Sequence, residues 1–150
     1  MNITAEKWMR DALSSAAAAS ALGEVPVGAV VVQNGQLIAS AHNETEKAHD
    51  ATSHAEILAI RRAGEKLGRW RLDDCELYVT MEPCPMCIGA ILLSRISKLY
   101  FGCYDERMGA VGSLFDLTSH EALAANIEVF PQLLEHDCRD VLQQFFKKRR

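Results

Sequence analysis

Pro83-Cys84-Pro85-Met86-Cys87 constrains this chain more than any other stretch. Pro85 has a fixed φ and no N–H to donate, so it suits the first turn of a helix, and the residues from there to Ser94 are expected to form one. Cys84 and Cys87, three apart at that helix start, then share one face. A helix N-terminus favours negative charge, lowers a thiol's pKa and suits thiolates. Any acceptable fold has to present both sulfurs together at the end of a helix.

The other three cysteines, Cys75, Cys103 and Cys138, stand alone among apolar or mixed neighbours, as buried thiols do. The first twenty residues have no basic stretch followed by an apolar h-region, so a reducing, cytoplasmic setting is expected. There the close pair reads as metal-binding or redox-active, not as a structural disulfide. Zinc-ribbon and thioredoxin-type pairs share this spacing, but a structural zinc needs four ligands and no second close Cys/His pair is present. His54, at the start of another expected helix, offers a neutral imidazole as third ligand. One His and two Cys leave a tetrahedral zinc, one per chain, with an open position for chemistry. Glu56, two residues beyond His54, can border that site and carry protons without ligating the metal. Its competing role is helix capping, with Ser53 as N-cap and Glu56 three places on.

The remaining pattern is that of one globular domain over residues 1–150, with 49% hydrophobic and 24% charged residues. Residues 4–21 have the spacing of an amphipathic helix, with Trp8, Met9, Leu13 and Ala16 on one side. Two apolar segments, 27–32 and 37–41, flank Asn34-Gly35, a strong hairpin signal. Residues 53–67 return to helical spacing through Ile57, Leu58 and Ile60. Strands are expected at 77–80 and 98–101, then a Gly-rich loop through Gly112. Residues 135–148 should form a final helix with Val141, Leu142, Phe145 and Phe146 on its apolar side. A hairpin followed by helix–strand–helix–strand–helix predicts an α/β sandwich with helices on both sheet faces. The most apolar run is too short to span a bilayer, so no membrane partner is expected. A formal charge of −4 argues against coating nucleic acid through bulk charge, though not against gripping one folded RNA locally. Lys147, Lys148, Arg149 and Arg150 form the densest cationic cluster, read either as an RNA contact or as a solvated terminus.

With these residues in view, the chain resembles the cytidine/deoxycytidylate deaminase superfamily, whose zinc signature pairs His-x-Glu with Pro-Cys-x-x-Cys. It is more narrowly similar to bacterial tRNA-specific adenosine deaminases. That likeness runs through Glu24-Val25-Pro26-Val27-Gly28-Ala29-Val30, Asn43, Ser53-His54-Ala55-Glu56-Ile57, the run from Leu77 to Cys84, Gly109-Ala110-Val111-Gly112-Ser113-Leu114 and the closing Phe145-Phe146-Lys147-Lys148-Arg149-Arg150. The resemblance implies a three-layer α/β/α sandwich of the cytidine deaminase type around a five-stranded mixed sheet, and a homodimer. It implies hydrolytic deamination of adenosine to inosine at the wobble position of a tRNA anticodon stem-loop. His54, Cys84 and Cys87 match the zinc ligands and Glu56 the proton-transferring glutamate. Asn43 matches an asparagine that hydrogen-bonds the target nucleoside, against a plain turn role. Asp105 matches an acidic loop position able to accept from a ribose 2′-OH, against a solvated loop aspartate. Family members often carry proline near Ala51, which is absent here. The rival functions are deamination of a free base or nucleoside, such as guanine or cytidine, and an RNA-binding module with a structural zinc.

Overall fold

The computed structural model describes residues 3–124 and 126–149. Helix α1, Ile3–Ala21, leads into the hairpin of β1, Gly28–Gln33, and β2, Gln36–His42. Asn34 and Gly35 take φ of 49° and 73°, the paired left-handed geometry of a two-residue turn whose twist matches the strands. A short helix α2, Thr45–Ala48, precedes α3, Ala55–Leu67. Strand β3, Cys75–Met81, helix α4, Pro85–Leu93, and strand β4, Lys98–Cys103, form a parallel crossover unit. After a 3-10 turn at Leu117–Ser119 come α5, Glu121–Ala124, strand β5, Glu128–Phe130, and the last helix α6, Glu135–Lys148.

The five strands lie in the order β2-β1-β3-β4-β5. β1 is antiparallel to β2 and β3, whereas β3, β4 and β5 run parallel. Ala29, Val30, Val31 and Val32 are all buried because β1 is an interior strand covered on both faces. Ala29 and Val31 pack with α3 and α4, through Ala59, Ala63, Ile88 and Ile91. Val30 and Val32 pack with Trp8 and Met9 of α1 and Leu142 of α6. The result is the three-layer α/β/α sandwich with a mixed five-stranded sheet.

Several local expectations are corrected. Helix α3 has His54 as its N-cap, not Ser53, so Glu56 lies in the first turn and there is no capping box. The Ser53 hydroxyl instead donates to Asp50 at 3.1 Å. The buried face of α3 is Ala55, Glu56, Ala59 and Ala63, while Ile57, Leu58 and Ile60 are only half-buried. Small side chains let the helix lie close to the sheet, and the longer ones fill its flanks. On α6 the buried residues are Cys138, Leu142 and Phe145, and Phe146 points outward at 43% exposure. The order of elements read from the residues lacked β5, which has three residues and cannot display a two-residue period. Among the described residues, no helix is long and apolar enough to cross a membrane.

Candidate active site

Topology brings four chain segments to one end of the sheet. The start of β1 pairs with the end of β2, Gly28 opposite His42, and with the end of β3, Ala29 opposite Val79. Because β3 and β4 are parallel, the segment after Met81 and the loop after Cys103 leave from the same side. Ligand sites in α/β sheets characteristically form outside such strand ends.

Two helix N-termini meet there. His54 caps α3 with extended backbone, φ −76° and ψ 154°, and its carbonyl accepts the first helical bond from Leu58 at 3.1 Å. Cys84 caps α4 in the same way, φ −76° and ψ 173°, with Pro85 opening the helix and Ile88 donating to the Cys84 carbonyl at 2.9 Å. Neither residue spends its side chain on the cap. His54 Nδ1 therefore lies 3.7 Å from Cys84 Sγ and 3.4 Å from Cys87 Sγ. Among the described residues these three form the only cluster of metal-binding type, their donor atoms all within 4.8 Å of one another. Ahead of His54, Asp50 accepts from Thr52 and Ser53 and fixes the turn; those bonds, the Thr52 hydroxyl's foremost, lower its pKa.

The electrostatics separate the groups. The hydrogen bond from Cys87 draws the Cys84 thiol down to about 4, with help from His54, and sharing that proton pushes Cys87 up, as does burial. The bond to Cys84 raises His54. Glu56 is 4% exposed, and burial pushes its carboxyl up to about 7. The other three thiols are free, buried and raised by that burial: Cys75 and Cys138 to about 12, Cys103 to about 11. They are inert by comparison.

A cavity of about 340 Å³ opens onto the cluster, lined by His54, Glu56 and Cys84 together with Asn43 and Asp105. Asn43 is buried, its Oδ1 accepting from the Thr45 N–H at 3.3 Å and its amide donating to the Val25 carbonyl at 3.5 Å. The turn role is thus present alongside the place in the cavity wall. Asp105 likewise turns its own loop, Oδ1 accepting from the N–H groups of Arg107 at 3.1 Å and Met108 at 3.3 Å. Sequence reasoning missed Met108 and the outward-facing Phe146, which both line this cavity. It also passed over Glu24 and Glu82, although a carboxylate inside an apolar run was a visible signal. At the end of α6, Lys147 and Lys148 are exposed. Arg149 is used internally, its guanidinium donating to the Gly23 carbonyl at 2.9 Å and lying 4.3 Å over the Phe145 ring. Arg150 lies outside the described residues.

Residues 3–150 match the family model of the MafB19-like deaminases. The chain is 45% identical over 145 residues to the tRNA-specific adenosine deaminase of Bacillus subtilis, covering 97% of this chain and 90% of that protein. Among solved structures, a tRNA:A34 deaminase studied for A-to-I editing at the wobble position superposes with a TM-score of 0.87 at 42% identity, over 91% of this chain and 99% of that one. The guanine deaminase of Nitrosomonas europaea superposes with a TM-score of 0.82 at 28% identity, over 93% and 83%. With the His/Cys/Cys cluster and its buried glutamate at the mouth of a shared cavity, these likenesses make the chain a member of the MafB19-like deaminase family and a homologue of the tRNA-specific adenosine deaminases.

Proposed function

We propose that this chain hydrolytically deaminates adenosine to inosine at the wobble position of a tRNA anticodon, with His54, Cys84 and Cys87 holding one zinc ion per subunit and Glu56 moving the protons. The donor set suits that metal. Bond lengths of about 2.3 Å to sulfur and about 2.0–2.1 Å to nitrogen put tetrahedral S and N ligands about 3.6 Å apart, and the spacings of 3.7 and 3.4 Å bracket this value. Zinc, when bound, lowers the pKa of a water in its open position towards neutrality and so supplies the nucleophile.

Glu56 carries the reading. It is buried beside the cluster, coordinates nothing in the proposed scheme, and holds its proton to about pH 7. Near that pH its carboxylate form can take a proton from the attacking water and give it to the ring nitrogen as the bond to adenine C6 forms. It then carries the proton of the new C6 hydroxyl to the amine, and the C6–N bond breaks as ammonia leaves and the C6 carbonyl forms. Asn43 and Asp105 sit where they can orient the nucleoside, Asp105 by accepting from a ribose 2′-OH. A stacked anticodon base cannot enter a recessed cavity, so it has to be flipped out. Exposed Lys147 and Lys148 are suited to the phosphates of such an RNA.

The relatives favour tRNA over a free base through the extent of the match. The tRNA-acting proteins are 42–45% identical over 91–97% of this chain, whereas the guanine deaminase of Bacillus subtilis is 40% identical over only 69%, with a TM-score of 0.64, and that of Nitrosomonas europaea is 28% identical. A cytoplasmic enzyme is consistent with five free cysteines. A homodimer would use the groove of about 560 Å³ between α3 and α4, where Trp70 and Leu93 are 64% and 72% exposed. The deciding experiment measures inosine in an anticodon stem-loop against ammonia released from free adenosine, guanine and cytidine, with zinc analysis of the same protein. Inosine in the RNA, one zinc per chain and loss of the metal in Cys84→Ala or Cys87→Ala are expected. Release from a free base alone would move the assignment to the guanine deaminase type, and full zinc occupancy in both variants would remove the ligand assignment.

A further inference from the structure

The cavity walls are loops, and loops move unless something holds them. Two buried carboxylates outside the proposed chemistry do the holding. Glu82, 3% exposed, follows β3 and precedes Pro83. Its Oε1 accepts from the Asp105 N–H at 2.9 Å, and its Oε2 from the N–H groups of Val111 at 2.9 Å and Ser113 at 3.0 Å. The Ser113 hydroxyl donates to Oε1 as well. All four donors belong to the single loop that places Asp105, Arg107 and Met108 in the cavity wall. The loop closes this tightly because residue 109 is glycine, as a Cβ there would overlap the Glu82 carboxyl.

Glu24 does the same on the facing wall. It is 2% exposed, and its two oxygens accept from the N–H groups of Glu46 at 3.1 Å and Lys47 at 2.7 Å, in the short helix α2 that begins at Thr45, just after Asn43. Only a carboxylate suits either place, because it accepts with both oxygens, whereas an amide would turn N–H donors towards N–H donors. A charged acceptor surrounded by such donors is also what makes its burial tolerable.

We propose that Glu82 and Glu24 are positioning residues that fix the two walls of the substrate cavity and so determine how tightly RNA is held, without a part in the reaction itself. This rests on the RNA reading above. The metal donors and Glu56 sit on the starts of α3 and α4, so loosening the walls should weaken binding of ground state and transition state alike, which raises KM and leaves kcat.

The test compares Glu82→Gln and Glu24→Gln with wild type by zinc content, steady-state kinetics on an anticodon stem-loop and amide hydrogen exchange. Exchange should speed up at Asp105, Val111 and Ser113 in the first variant only, and at Glu46 and Lys47 in the second only. For each, KM should rise about tenfold with kcat held within about threefold and zinc retained. If Glu82→Gln fails to fold, Ser113→Ala, which keeps the carboxylate and removes one donor, should raise KM about two- to threefold. Unchanged exchange, a fall in kcat at constant KM, or loss of zinc overturns the proposal. Wild-type protein inert towards the stem-loop would instead overturn the RNA reading, and the exchange pattern would still decide whether the two carboxylates hold their loops.

Discussion

Glu56 shares the buried face of its helix with Ala59 and Ala63, so the packing that seats α3 on the sheet also carries a carboxyl group out of water. Desolvation raises its proton affinity into the neutral range, where a group can both take and give a proton. Glutamine keeps the shape and cannot carry the proton. Glu56→Gln is therefore expected to retain zinc and fold while losing roughly 10²–10⁴-fold in kcat. Single-turnover inosine formation on the zinc-loaded variant measures this, and wild-type turnover would end the shuttle assignment. His54 and Cys84 illustrate the same economy at their own positions. Each has an extended backbone and starts a helix with that backbone alone, leaving the side chain for the cluster.

At the scale of elements, α6 joins core packing to a cationic end. Leu142 and Phe145 hold it against the body, and Arg149 ties its last turn to the Gly23 carbonyl. Lys147 and Lys148 are then presented on a docked helix and not on a loose tail. Replacing both with alanine should weaken anticodon stem-loop binding and reduce its salt dependence by up to about two units of slope. Zinc content should not change, and an unaltered slope would mean that the RNA footprint lies elsewhere. This element was readable in the sequence over its full length, because fourteen residues display a helical period. The hairpin was readable from Asn34-Gly35, and the donor cluster from Pro85 and the spacing of Cys84 and Cys87. What escaped had physical causes. β5 is too short to show a period, and α3 buries alanines because closeness to the sheet outranks side-chain hydrophobicity there. The partners of Glu24 and Glu82 are backbone N–H groups 22 to 31 residues downstream, which no local pattern announces.

For the molecule as a whole, the apolar groove between α3 and α4 lies on the helices that also carry the proposed metal donors. Exposed Trp70 and Leu93 at that groove are costly on a lone chain and suit burial against a second copy. Sedimentation of wild type should give twice the chain mass, and Leu93→Glu should shift it towards the single chain with zinc retained. A wild type that sediments as a single chain would refute the dimer. In the proposed scheme the reactive groups stand on two helix starts seated on the core, and the surfaces that meet the substrate are loops held from behind by Glu24 and Glu82. Descendants of such a scaffold can change what they act on by redrafting the loops, while the chemistry is inherited untouched.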